Sequence, residues 1–139
     1  MKVQKNLRCM LVDDDREVLA VMSEVIPMLG GSDVVCFSNP MEAIHALRDN
    51  PFAFDLVISD FDMPELDGVE MCHVLRGLAP NLRTILATGN SGFTEADAGG
   101  QGFDALLHKP YPISALQAAL NKMRNHTGIS TPASMLQAA

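Results

Sequence analysis

The sequence lacks the features on which several large classes of protein depend. Its cysteines are odd in number and form no C-x-x-C pair: Cys9, Cys36 and Cys72. Its histidines show no ligand spacing with one another: His45, His73, His108 and His126. We therefore predict neither a disulfide framework nor a histidine-based metal site, and we expect the cysteines to be small buried side chains in a reducing compartment.

Long apolar runs and basic clusters are missing as well. No stretch of about 18 apolar residues is present, and residues 1–6 lack the apolar segment of a signal peptide. The formal net charge is −7, from 10 Lys and Arg against 17 Asp and Glu. This balance argues against nucleic-acid binding and membrane insertion, and it predicts a soluble, cytoplasmic protein.

The 139 residues, 47% of them apolar, suffice for one hydrophobic core. We predict one domain over residues 1–126. From Thr127 onward Gly, Ser, Thr, Pro and Ala dominate without a bulky stripe, so residues 127–139 are predicted to form a flexible tail.

The stretch around Asp60 is the most informative. Leu56 to Ser59 form a mostly apolar β-forming run, which ends in Asp60, Asp62 and Pro64. Such a run between turn signals is typical of a strand buried on both faces of a parallel sheet. Asp60 would then lie at the carboxyl edge of the sheet, where ligands bind in open α/β folds.

The rest of the chain alternates between strand and helix patterns. Apolar runs predict five strands, at residues 7–12, 34–37, 56–59, 82–88 and 104–108. Capping residues at Asn39, Asp67 and Thr94 predict helix starts, with a short helix 4 and a helix 5 that ends near Asn125. Buried stripes are predicted in two helices: Met71, Val74, Leu75 and Leu78 in helix 3, and Ile113, Leu116, Leu120 and Met123 in helix 5. This order indicates an α/β fold with a parallel sheet and right-handed crossovers.

The unusual polar residues all follow predicted strands, and so they should meet at one edge of the sheet. They are Asp13 to Asp15, Asp60, Asp62, Thr88 and Lys109. One of the three consecutive acids is needed as the N-cap of helix 1, but capping does not account for the whole set.

Together these motifs resemble the receiver domain of two-component response regulators, including those of chemotaxis, over residues 7–125. The motifs are Val12-Asp13-Asp14, Ile58-Ser59-Asp60, Met63-Pro64, Asp67-Gly68, Ala87-Thr88 and Lys109-Pro110. The resemblance implies a flavodoxin-like (βα)5 three-layer sandwich with strand order 2-1-3-4-5. It also implies a role in a phosphorelay, with Asp60 as the phosphoacceptor.

The resemblance further implies a role for each residue of the edge. The implied ligands of Mg²⁺ or Mn²⁺ are Asp14, Asp60, the backbone carbonyl of Asp62, and Asp13 through water. Lys109 and Thr88 would bind phosphate oxygens. These residue types suit phosphoryl transfer, which needs an oxygen nucleophile and cations around the phosphate, and a carboxylate at pH 7 is ionised without a general base.

One position departs from the family pattern, and two others are positions at which family members differ in phosphate lifetime. Leu106 stands three residues before Lys109, where family members often carry an aromatic residue coupled to the threonine. Asp62 and Gly89 occupy positions at which the family tunes the lifetime of the phosphate. Because no ring is present at position 106, we expect the signal to be an ordering of Gly89–Gly102, which has five glycines and a single aromatic residue, Phe93.

The implied partners are a phosphodonor, which is a histidine kinase or a histidine phosphotransfer protein, and a downstream protein. The chain would be either a stand-alone regulator or the receiver part of a hybrid kinase. The implied chemistry is self-catalysed phosphorylation and slow dephosphorylation.

One alternative is a phosphatase of the haloacid dehalogenase type, since Asp60-Phe61-Asp62 matches its D-x-D start. That family, however, has its last acid pair after the lysine. A second alternative is a receiver-like module that binds partners without phosphorylation.

Overall fold

The computed structural model describes the backbone of residues 6–30 and 32–138 and the side chains of residues 6–30 and 32–125. The strands are β1 (Arg8–Val12), β2 (Asp33–Phe37), β3 (Leu56–Asp60), β4 (Arg83–Thr88) and β5 (Ala105–His108). The helices are α1 (Arg16–Met28), α2 (Pro40–Asp49), α3 (Gly68–Leu78), α4 (Glu95–Gly100) and α5 (Ile113–Ala138). Among residues 6–138, no helix combines the length and apolar character needed to cross a bilayer.

The five strands form one parallel sheet in the order β2-β1-β3-β4-β5. This confirms the predicted flavodoxin-like α/β fold. One core cluster lies between the sheet and helices α1 and α5, and a second lies against α2 and α3. The central strand β3 is buried along its whole length. The alternation of apolar strands with amphipathic helices therefore places the end of β3 between two packed layers.

Side chains at the helix starts explain where α1, α3 and α4 begin. Asp15, the last of the three acids, is the N-cap of α1 and accepts hydrogen bonds from the amides of Glu17 and Val18. Asp67 and Thr94 each form a reciprocal capping box, at α3 and α4 respectively. As predicted, α4 is short, yet it is a formed helix that is capped at its start.

Some details of the predicted helices are wrong. Val74 is 40% exposed, while Cys72 is fully buried in its place, because the buried stripe of α3 runs through Met71, Cys72 and Leu75. Ile113 is 57% exposed because it starts the first turn of α5.

The end of α5 also differs from the prediction. Its backbone runs to Ala138 rather than ending near Asn125. The side chains from residue 126 onward lie outside the described part of the chain, and the division into a domain over 1–126 and a tail over 127–139 stays a prediction.

Candidate functional site

Three carboxylates meet at the carboxyl edge of the sheet. Asp13 and Asp14 directly follow β1, and Asp60 ends β3, which pairs with β1. One carboxylate oxygen from each acid lies within 4.8 Å of the others. Asp13 and Asp60 are buried, whereas Asp14 is exposed. The edge predicted from the strand ends is therefore a compact acidic cluster.

Lys109 follows β5 and reaches into this cluster. Its Nζ lies 3.0 Å from Oδ2 of Asp13 and 3.0 Å from Oδ1 of Asp60. Burial opposes the charge of the ammonium, but the hydrogen bonds and charges of the two acids outweigh it, so the pKa of Lys109 is raised. The lysine is thus a positive charge that links two acids and partly offsets their mutual repulsion.

Asp60 is in an environment that disfavours its ionised form. Burial is the main cause that raises the pKa of Asp60, and the neighbouring charges of Asp13 and Asp14 raise it further. The hydrogen bond and charge of Lys109 act in the opposite direction. A second cation at this carboxylate would relieve the remaining cost of its charge.

The hydrogen bonds of the acids bear on which of them can bind a metal ion. Both oxygens of Asp13 are in use, since Oδ1 accepts from the amide of Asp15 at 2.9 Å and Oδ2 accepts from Lys109. Asp14 is exposed and, among the described residues, accepts no protein hydrogen bond. Adjacent oxygen ligands of a six-coordinate Mg²⁺ lie about 3 Å apart, and this ion favours a few carboxylates plus water. The cluster offers the donor atoms that such an ion prefers, with Asp14 and Asp60 better placed than Asp13 for direct ligation.

Thr88 ends β4, the strand beside β3, and is buried. Its Oγ1 accepts a hydrogen bond from the amide of Asn90 at 3.0 Å. Within the described part of the chain it donates to no protein group, so its single proton is available to a phosphate oxygen. The predicted position of Thr88 at the same edge of the sheet is therefore correct.

The other predicted residues lie around the cluster rather than in it. Asp62 is exposed and, with Asp14 and Phe61, lines a shallow cavity of about 410 Å³. Gly89 is exposed at the start of the loop after β4. Leu106 on β5 is half-buried and packs against the core cluster of α2 and α3.

The sequence gives weak signals for several further contacts. Ser59, fully buried, donates from its hydroxyl to the backbone carbonyl of Asp60 at 2.9 Å. Phe61 and Phe93 form an edge-to-face pair with ring centroids 5.3 Å apart. His108 Nε2 lies 2.7 Å from the carbonyl oxygen of Phe93. Ser59, Phe61 and His108 lie at or beside strand ends, which could have drawn attention to them, whereas Phe93 lies within the loop after β4.

The strand order defines a flavodoxin-like α/β domain, and an acidic cluster that Lys109 contacts lies at the carboxyl edge of its sheet. The family profile described as response regulator receiver domain matches residues 9–121, and the chain belongs to this family. Receiver domains act in two-component signalling with phosphodonor partners such as histidine kinases, and they generally bind Mg²⁺ at an acidic pocket.

Individual relatives agree with the family assignment. The response regulator MprA of Mycobacterium tuberculosis (strain H37Rv) is 32% identical over 124 residues, which are 88% of this chain and 52% of that protein. FleR of Pseudomonas aeruginosa is 34% identical over 78% of this chain and 23% of its own length. The chain thus spans about half the length, or less, of these curated relatives. A receiver domain from Clostridium thermocellum has the same fold, with a TM-score of 0.80, 23% identity, and coverage of 88% of this chain and 98% of that one.

Proposed function

We propose that Asp60 accepts a phosphoryl group from the phosphohistidine of a kinase or phosphotransfer protein, or from a small phosphodonor, in a reaction that needs Mg²⁺ or Mn²⁺. The observation that carries the proposal is the position of Lys109, whose Nζ is 3.0 Å from both Asp13 and Asp60 within the three-acid cluster. A cation held in this way can meet an oxygen of an incoming phosphoryl group.

Each residue of the site has a separate role in the phosphoryl transfer. A carboxylate oxygen of Asp60 attacks phosphorus, the bond from phosphorus to the donor nitrogen breaks, and the donor imidazole keeps the electron pair. The product is an acyl phosphate, which water can cleave again. Lys109 and the Thr88 hydroxyl bind oxygens of the transferred group. Asp14, Asp60 and the carbonyl of Asp62 would hold the divalent ion, with Asp13 acting through water, and the ion would supply positive charge to offset that of the phosphoryl oxygens.

This chemistry is tested by incubating the protein with acetyl phosphate and Mg²⁺ and following intact mass. We expect one added phosphate, lost in EDTA and in Asp60→Asn. Asp62→Asn is the matched control, since it removes a nearby acid and should still take up phosphate. Uptake that survives in Asp60→Asn would refute the assignment.

Two further measurements would favour the alternatives. Sustained release of phosphate from a phosphomonoester would favour the phosphatase, whose D-x-D start the chain shares. A protein that takes no phosphate from any donor would favour a module that binds partners without phosphorylation.

A further inference from the structure

The loop after β4 connects Thr88 to α4 through a series of hydrogen bonds. The Thr88 hydroxyl oxygen accepts from the amide of Asn90, at 3.0 Å. The side-chain Oδ1 of Asn90 accepts from the amide of Gly92 at 2.9 Å, and the backbone carbonyl oxygen of Asn90 accepts from the amide of Phe93 at 3.1 Å. Phe93 directly precedes Thr94, the N-cap of α4. A series of hydrogen bonds therefore runs from the Thr88 hydroxyl to the residue before the N-cap of α4.

Phe93 also contacts residues that adjoin the site. Its ring packs edge-to-face on Phe61, the residue after Asp60, at an interplanar angle of 71°. Its carbonyl oxygen lies 2.7 Å from Nε2 of His108, the residue before Lys109. Because a carbonyl can only accept, this contact requires a proton on Nε2. Phe93 thus touches the sequence neighbours of both Asp60 and Lys109.

The far end of α4 is held by a different residue. Arg76 of α3 donates to the carbonyls of Gln101 at 2.8 Å and Gly102 at 2.9 Å, and its guanidinium lies over the ring of Phe103 at 5.6 Å. These contacts join the carboxyl end of α4 to the core. A force applied through Phe93 would accordingly move the amino end of α4 more than its carboxyl end.

We propose that Phe93 relays phosphorylation of Asp60 to α4, and that α4 pivots about the end held by Arg76. The inference rests on the proposed function, because it needs Thr88 to move toward a phosphate oxygen. In that movement the Thr88 hydroxyl pulls on the amide of Asn90 or releases it. The loop then shifts Phe93 against Phe61 and His108. The ring of Phe93, on the β4–α4 loop, thus takes the coupling role that an aromatic residue at position 106 has in other members of the family.

The pivot is an alternative to the predicted ordering of Gly89–Gly102, which stays a prediction. That expectation assumed that too few contacts oppose the conformational entropy of this segment. In the structure α4 is a formed helix, with a capping box at its start and two Arg76 hydrogen bonds beyond its end. A helix that is already capped at its start and hydrogen-bonded to α3 beyond its end is better suited to a tilt than to a transition between disorder and order.

The test uses beryllofluoride with Mg²⁺ as the probe and the backbone amide NMR shifts of residues 93–100 as the readout. We expect large shift changes in the parent protein and less than half of that response in Phe93→Leu, which keeps an apolar side chain but removes the ring. Phe93 touches none of the proposed phosphate ligands, so the variant should still bind the probe, and the shifts are compared at saturating probe. The control Leu106→Met should respond as the parent does.

His108 offers a second test that does not disturb the core, because its side chain is exposed. His108→Ala should lose a similar share of the α4 response, and His108→Gln should restore it, because glutamine again offers an N–H donor. A full α4 response in both Phe93→Leu and His108→Ala would refute the relay while leaving the proposed function intact. A parent protein that binds no beryllofluoride and takes no phosphate would refute the proposed function, and the relay with it.

Discussion

Gly68 lies so close to Asp60 that a Cβ atom on it would be 2.3 Å from the backbone carbonyl oxygen of Asp60. The same Cβ would be 2.8 Å from Oγ of Ser59, the hydroxyl that donates to that carbonyl. The first residue of α3 is therefore packed directly behind the proposed phosphoacceptor. Any side chain there has to displace backbone rather than the flexible end of a side chain.

The first prediction follows from this contact. Gly68→Ala should lower the free energy of unfolding by about 1–3 kcal/mol, the range for overpacking in a core, and should slow phosphorylation by acetyl phosphate because Asp60 is shifted. Gly77→Ala in the same helix is the matched control, since nothing lies within 4 Å of its Cβ. It should stabilise the protein by about 0.5–1 kcal/mol. Urea unfolding and intact mass measure the two effects, and equal stability of the two variants would contradict the packing argument.

The second prediction concerns the divalent ion. Mg²⁺ binds the assembled acids and not the dispersed acids of the unfolded chain, so a concentration tenfold above its Kd should add about 1.4 kcal/mol of stability. Asp14→Asn should weaken this effect, yet in EDTA it should melt higher than the parent because one repelling charge is gone. Thermal melting with and without Mg²⁺ tests both statements. An Asp14→Asn protein that melts lower in EDTA and gains as much from Mg²⁺ as the parent would show that the acids do not form one site.

The third prediction concerns the pH dependence of stability in EDTA. The pKa of Asp60 is raised in the folded protein, mainly by burial, so the folded state holds this proton more tightly than the unfolded chain does. The contribution of Asp60 to stability is therefore present below its ordinary pKa of 3.8 and is lost as pH rises through the raised folded value.

Asp60→Asn cannot ionise, so it should be more stable than the parent at pH 7, with a gain that shrinks toward pH 3. Urea midpoints across this range would reveal the trend. A gain that is constant with pH would mean that the carboxylate charge is not its cause.

The fourth prediction concerns the cysteines. Burial raises the pKa of Cys9 and of Cys72 to about 12 in each case, and it raises the pKa of the half-buried Cys36 as well. At pH 8 only about 1 in 10,000 molecules of a thiol with such a pKa is a thiolate. A disulfide reagent should thus label Cys36 alone in the native protein and all three cysteines in urea, and Cys36→Ala should remove the native signal. Rapid native labelling of Cys9 or Cys72 would contradict the packing.

Much of this architecture can be predicted from the sequence because its signals are local. Apolar runs that end in an acid, a hydroxyl or a lysine locate the strand ends, and parallel pairing brings those ends to one edge. The sequence determines less well which residues form the buried face of a helix. Val74 and Cys72 fit a helical period about equally, and only the docking angle of α3 decides which of them is buried.

The contacts between loops could not be predicted in this way. The approach of Phe93 to Phe61 and to His108 depends on the path of the β4–α4 loop, for which residue spacing gives no rule. The contacts at the carboxyl end of α4 could not be predicted for a related reason, since their hydrogen bonds come from Arg76, on another helix. The ordering of Gly89–Gly102 stays a prediction.

The pair formed by Lys109 and Asp13 joins residues 96 positions apart in the chain. During synthesis all three acids leave the ribosome well before the lysine does, whereas a domain generally folds as a unit. The acids therefore lack the cation that offsets their repulsion until β5 is available. Docking of β5 supplies that cation and completes the site in the same event. A molecule able to accept phosphate is consequently one whose last strand has already been added.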